Sequence, residues 1–110
     1  MYFYARDSMP HKKELVPGTT ANLAWGEKIM LSLVEINPGS VVPMHSHPHE
    51  QAGIVVEGEF DFIIGGERRR VKPGDMYIIP GGVQHSAIGL DKKALVLDVF
   101  SPPRDDYKGS

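Results

Sequence analysis

Three of the five histidines in the chain, His45, His47 and His49, fall close together, and Gln51 continues the same odd-numbered series. In an extended strand, residues two apart share a face, so His45 and His47 direct their imidazoles to the same side. Two neutral imidazoles from one strand are half of a metal site, and His85 can bring a third from a different strand. Taken alone, a His-x-His pair is a surface cluster as readily as a ligand pair. A second residue stands out at Asp98, inside the run Ala94–Phe100. Asp98 and Phe100 share one face of that strand, and Leu95, Leu97 and Val99 share the other. A carboxylate in so apolar a strand needs a partner or a task. Arg104 or a backbone donor is the structural alternative.

These side chains need a scaffold, and the composition says which kind. A chain of 110 residues is one domain's worth of protein, enough for a single core. Its 12 Lys and Arg against 14 Asp and Glu give a net charge of −2, which argues against nucleic-acid and anionic-membrane binding. The absence of Cys removes disulfides, zinc fingers and thiol nucleophiles. No apolar run approaches the ~20 residues that cross a bilayer, and no signal-peptide pattern opens the chain, so the expectation is a soluble cytoplasmic domain.

The 12 Gly and 9 Pro are spread between short apolar runs, which is the punctuation of an all-β sandwich or barrel. Strands are expected over 14–16, 28–36, 40–47, 53–56, 60–64, 67–72, 76–79, 85–88 and 94–100, about eight or nine in all. Asn37-Pro38-Gly39, Gly65-Gly66, Pro73-Gly74-Asp75 and Pro80-Gly81-Gly82 supply the turns between them. Pro102-Pro103 ends regular structure. Glu67-Arg68-Arg69-Arg70 reads as a solvated edge strand, and Trp25 as a packing or rim residue.

Two longer patterns enclose the histidines. The first runs Gly39, His45, His47, Gln51, Gly58, and the second runs Gly74, Pro80, Gly82, His85. Together they resemble the two signature motifs of the cupin superfamily, over most of residues 25–100. The resemblance implies an all-β, single-domain jelly-roll β-barrel spanning 1–110. Its parts are an N-terminal arm of about 1–12, a first motif over 39–58, a second over 74–89, and a C-terminal strand and tail over 94–110. Carried over position by position, it implies metal ligands at His45, His47, Gln51 and His85, holding one divalent transition metal per subunit (Zn, Ni, Fe, Mn or Cu). Gln51 stands where the family usually has Glu, and Gly89 where it usually has Asn. A carboxamide cancels none of a cation's charge, so this site keeps its full positive charge and favours an anionic ligand. Glu50 is the substitute carboxylate, but strand parity turns it away unless Pro48 resets the register. His49 is read as a rim residue.

A narrower resemblance lies in Met44-His45-Ser46-His47-Pro48-His49-Glu50-Gln51, the Trp25-Gly26 turn and the tail Asp98-Val99-Phe100-Ser101-Pro102-Pro103-Arg104. These are similar to the small single-domain cupins called KdgF, which open the ring of 4,5-unsaturated uronates from pectin and alginate to give 4-deoxy-5-keto-hexosulose uronates. The resemblance implies an acid–base role for Asp98 and a need for Phe100 and Arg104. The expected partner is a small anionic sugar-derived substrate, with no nucleic acid and no membrane. The rival readings are a metal-dependent oxygenase, disfavoured by the missing ligand carboxylate, and a non-enzymatic sugar or effector binder. The aromatic cluster Tyr2, Phe3 and Tyr4 is expected to lie across a sheet or on the second subunit of a homodimer.

Overall fold

Ten strands and one terminal helical turn make up the computed structural model, which describes residues 2–108. Residues 1, 109 and 110, at the ends of the expected arm and tail, lie outside the described residues. The strands are β1 (His11–Val16), β2 (Thr19–Trp25), β3 (Met30–Ile36), β4 (Val41–His45), β5 (Glu50–Glu57), β6 (Phe60–Ile64), β7 (Glu67–Val71), β8 (Met76–Ile79), β9 (His85–Gly89) and β10 (Ala94–Ser101), followed by α1 (Asp105–Lys108). All pairings are antiparallel. One sheet has six strands in the order β1-β2-β3-β10-β5-β8, and the other has four in the order β4-β9-β6-β7. The buried side chains of both sheets form one core cluster, including Leu23, Met30, Val55, Phe60, Phe62 and Phe100. This is the two-sheet jelly roll of the expected all-β class.

Period-two burial explains why these segments are strands. β3 alternates without a break, with Met30, Ser32, Val34 and Ile36 buried and the residues between them half-exposed. β6 and β8 have the expected bounds, and the Gly65-Gly66 hairpin joins Ile64 to Glu67 in register, both glycines at positive φ. β5 is longer than expected, opening at Glu50. β2 was not among the expected strands: Thr19, Ala21 and Leu23 face the core, but small Ala and Thr give this alternation little hydropathy contrast.

Three further expectations meet the structure here. Regular structure does not end at Pro102-Pro103, because α1 follows. β7 is an edge strand as read, yet Arg68 and Arg70 are tied to Asp61 on β6 at 2.9 and 3.0 Å. Tyr2 and Phe3 do not lie across the chain's own sheets, being 94% and 88% exposed, whereas Tyr4 is 40% exposed. Trp25 packs as expected, half-buried, with His11 stacked on it at 4.2 Å. Among the described residues, no helix is long and apolar enough to cross a membrane.

Gly58, between β5 and β6, has φ +73°, and a Cβ there would press on the backbone of Lys93 and lie 2.9 Å from Ala94 Cα. Gly58→Ala should therefore lose about 1–3 kcal/mol through backbone strain alone. At roughly 4–8 °C per kcal/mol for a small domain, the drop is readily read by thermal denaturation. An unchanged Tm would contradict this account of the turn.

Candidate metal centre and active site

The two sheets face each other across the site. β4 and β9 of the smaller sheet pair so that His45 lies directly opposite His85, their ring centroids 4.3 Å apart. β4 ends at His45, so strand periodicity is not what aims His47. His47 sits in the connection to β5, where the loop of the second motif holds it. Gly82 donates its N–H to the His47 carbonyl at 2.8 Å. Gly81 lies so close to the Pro48 carbonyl that a Cβ would collide with it. The rings of His47 and His85 are then 5.0 Å apart, nearly perpendicular. At the start of β5, Glu50 is exposed and Gln51 buried, so Glu50 does not face the histidines.

The hydrogen bonds of the rings fix their tautomers. His45 Nδ1 meets the Pro43 carbonyl at 2.8 Å, His85 Nδ1 that of Val83 at 2.9 Å, and His47 Nδ1 that of His49 at 3.1 Å. A carbonyl only accepts, so in the neutral ring each Nδ1 carries the proton and each Nε2 presents a lone pair. One ligand atom from each of the three rings lies within 4.8 Å of the others. Gln51 Oε1 lies 3.1 Å from His47 Nε2. The carboxamide oxygen of Gln51 is therefore the atom turned toward the histidines. Two acceptors thus face each other without a proton between them. Burial, with the charges of Arg104 and His85, lowers His47 to about 4, so its imidazole is neutral. Burial likewise lowers His85. Four lone pairs around one point fit a divalent transition metal bound through three imidazoles and a carboxamide.

Beside this cluster, on the inner face of the larger sheet, lie Asp98 and Phe100. Phe100 pairs across the strands with Gln51 and sets its ring edge-on to His47 at 5.5 Å. Asp98 accepts a hydrogen bond from the Tyr77 hydroxyl. Burial pushes its carboxyl up to about 6, against the opposing pull of the Tyr77 and Gln51 hydrogen bonds and the charge of Arg104. A carboxyl poised there can both take and return a proton near neutrality.

Arg104 is not the hydrogen-bond partner of Asp98. Its Nε and Nη2 bond to the two carboxylate oxygens of Asp106 at 3.2 and 2.8 Å, and Nη1 to the Tyr107 hydroxyl at 2.9 Å. Its guanidinium lies over the Tyr107 ring at 3.9 Å. Of the five N–H groups of an arginine, these three bonds leave two, one each on Nη1 and Nη2. The hydrogen bond from Arg104 holds Asp106 below the usual carboxylate range.

One cavity collects His45, Gln51, His85, Asp98, Phe100 and Arg104, and Tyr77 and Tyr107 line it too. His49 is not among the residues lining this cavity: it is half-buried, with its ring 5.5 Å from that of His47. Tyr77, Asp106 and Tyr107 are the residues the sequence reading missed. An acid two places and an aromatic three places after Arg104 were the available signal for the last two.

A family model described as a cupin domain matches residues 32–100. The chain is similar to the pectin degradation protein KdgF of Dickeya dadantii, with 31% identity over 77% of this chain and 78% of that one. Among solved structures it is similar to KdgF from a Halomonas species, at 37% identity and TM-score 0.80, covering 87% of this chain and 89% of the other. An RmlC-like cupin from Shewanella frigidimarina superposes at TM-score 0.87 with 25% identity, covering 97% and 96%.

Metal-free protein titrated with Zn²⁺ or Ni²⁺ should bind one equivalent in calorimetry, with a raised Tm from binding to the folded state. Replacing a coordinating ring should cost more than the roughly 10–100-fold typical of outer partners. His45→Ala and His85→Ala should each do so. Wild-type protein that takes up no divalent ion, or variants that bind as tightly, would contradict the assignment.

Proposed function

Because the chain belongs to the cupin family and is KdgF-like, we propose that it is an enzyme of pectin or alginate breakdown that opens the ring of 4,5-unsaturated uronates. The observation that carries this reading is the buried Asp98 carboxyl beside a cluster of four acceptors, with two N–H groups of Arg104 at the same cavity. His45, His47, Gln51 and His85 would hold one divalent metal, which would supply Lewis-acid stabilisation of negative charge developing on substrate oxygen.

The substrate is a cyclic hemiacetal whose ring oxygen sits on C5 of a C4=C5 double bond, next to the carboxylate. Arg104, fixed by Asp106 and Tyr107, receives that carboxylate on its two remaining N–H groups. Asp98 takes the proton of the anomeric hydroxyl. As the C1 carbonyl forms, the bond from C1 to the ring oxygen breaks and leaves an enolate. The enolate collapses to the C5 ketone while C4 takes a proton from Asp98. The sum is an isomerisation, consuming neither water nor a redox equivalent. Phe100 packs against His47 and under the Arg104 guanidinium at 5.2 Å, which keeps both groups oriented and excludes water.

Asp98→Asn keeps the size of the side chain and removes the exchangeable acid, so turnover should fall by about 10²–10⁴. The assay is the loss of the ultraviolet absorbance of the unsaturated uronate. Metal content should not change. Arg104→Lys should instead raise KM, because an ammonium lacks the planar fork. A folded, metal-loaded Asp98→Asn protein with wild-type turnover would end the acid–base assignment. The metal-dependent oxygenase and the non-enzymatic binder are the outcomes to exclude, the first by oxygen consumption and the second by a ligand-raised Tm without loss of absorbance.

We also propose that the protein works in the cytoplasm as a two-fold dimer, with exposed Tyr2 and Phe3 covered by the partner. Light scattering at micromolar concentration should give about twice the chain mass. Deleting residues 1–8 should weaken the association, and an unchanged dimer would contradict this packing.

A further inference from the structure

Three neighbouring strands of the larger sheet, β10, β5 and β8, align Asp98, Gly53 and Tyr77 in a single cross-strand row. All three positions face the barrel interior, since Met76 and Ile78 on either side of Tyr77 are strongly exposed, while Gln51 and Val55 on either side of Gly53 are buried. Cross-strand neighbours two strands apart do not ordinarily touch, because strands are about 4.8 Å apart and the middle strand's side chain intervenes. Here the middle residue is Gly53. A Cβ on it would lie 2.6 Å from Asp98 Oδ1 and closer still to the Tyr77 ring and hydroxyl. Gly53 is therefore the gap through which the Tyr77 hydroxyl crosses β5 and donates to Asp98.

The phenol is well suited to hold a carboxyl in place. Its ring turns on two dihedrals, and Phe62 meets it edge-on at 4.8 Å, so its hydroxyl has a fixed address. Burial, with the neighbouring Asp98 charge, pushes the Tyr77 hydroxyl well above its ordinary range, so it remains a neutral donor. Gln51, on the neighbouring strand, also favours the charged form of Asp98. The Tyr77 hydroxyl thus ties the carboxyl on β10 to the edge strand β8.

We propose that Tyr77, reaching through the gap at Gly53, is the positioning residue that holds Asp98 in the orientation needed for proton transfer in the uronate ring opening. The inference rests on the acid–base reading of Asp98 given above. Tyr77 touches no substrate in this role and moves no proton itself.

A double-mutant cycle on Tyr77→Phe and Asp98→Asn tests it, with metal content and Tm measured on every protein. Misplacement of a reacting group by about 1 Å can cost roughly 10²-fold. Tyr77→Phe should accordingly lower kcat by about 10–100-fold, with KM within about twofold of wild type and metal content unchanged. In the Asp98→Asn background the same substitution should change kcat by less than about twofold, since groups acting as one unit are non-additive. If Tyr77 is only a packing residue, Tyr77→Phe lowers Tm and leaves kcat near wild type, which overturns the proposal. Multiplicative losses in the double mutant overturn it too, because Tyr77 would then act independently of Asp98. Wild-type turnover in Asp98→Asn is a different failure: it removes the acid–base reading, and this proposal with it.

Discussion

Four lone pairs converging in the protein interior, with no N–H or O–H among them, are the constraint around which the rest of the fold is arranged. Three come from imidazole Nε2 atoms and one from the Gln51 carboxamide. His47, His85 and Gln51 are buried and His45 half-buried, and neutral rings protonated on Nδ1 cannot offer each other a proton. The arrangement persists because every other hydrogen-bonding atom of the three rings is spoken for. The Pro43, His49 and Val83 carbonyls hold the Nδ1 protons, and each belongs to a segment within two residues of its ring. The backbone that supplies those carbonyls is itself fixed by the second-motif loop, whose Gly81 and Gly82 come into contact with Pro48 and His47. Motif glycines and ligand tautomers are one problem with one solution.

The second polar set depends on the first. Gln51 turns its oxygen toward the histidines and favours the charged form of Asp98, so the carboxamide couples the acceptor cluster to the buried carboxyl. Tyr77 on the edge strand holds the same carboxyl. Arg104 contributes charge to both sets without bonding to Asp98, because the tail residues Asp106 and Tyr107 hold it at the cavity. A direct Arg104–Asp98 pair would have neutralised both groups; separated, each keeps its chemistry.

Much of this was legible in the chain. The two motifs located the histidines and Gln51, and the apolar run around Asp98 marked it as out of place. The strands bounded by Gly and Pro were readable because punctuation and alternation agreed, most clearly at β6 and β8. β2 was not, because Thr19, Ala21 and Leu23 bury a face too weak in hydropathy to register. His47 was aimed correctly for an incomplete reason, since a loop held from a distant motif does what strand parity was credited with. The Tyr77–Asp98 contact was invisible, because it joins residues far apart in sequence and its enabling feature is the missing side chain of Gly53. Asp106 and Tyr107 were hidden behind Pro102-Pro103, which reads as a stop although a helical turn follows.

The most direct test of the account is proton NMR of an unsaturated uronate mixed with metal-loaded protein in D₂O. The account predicts that the C4 vinyl signal disappears faster than in buffer alone, and that early product carries a single deuterium on one face of C4. Vinyl decay at the spontaneous rate would contradict the assignment of ring opening to this protein. Deuterium distributed equally over both faces at early times would contradict delivery of the proton by a fixed Asp98.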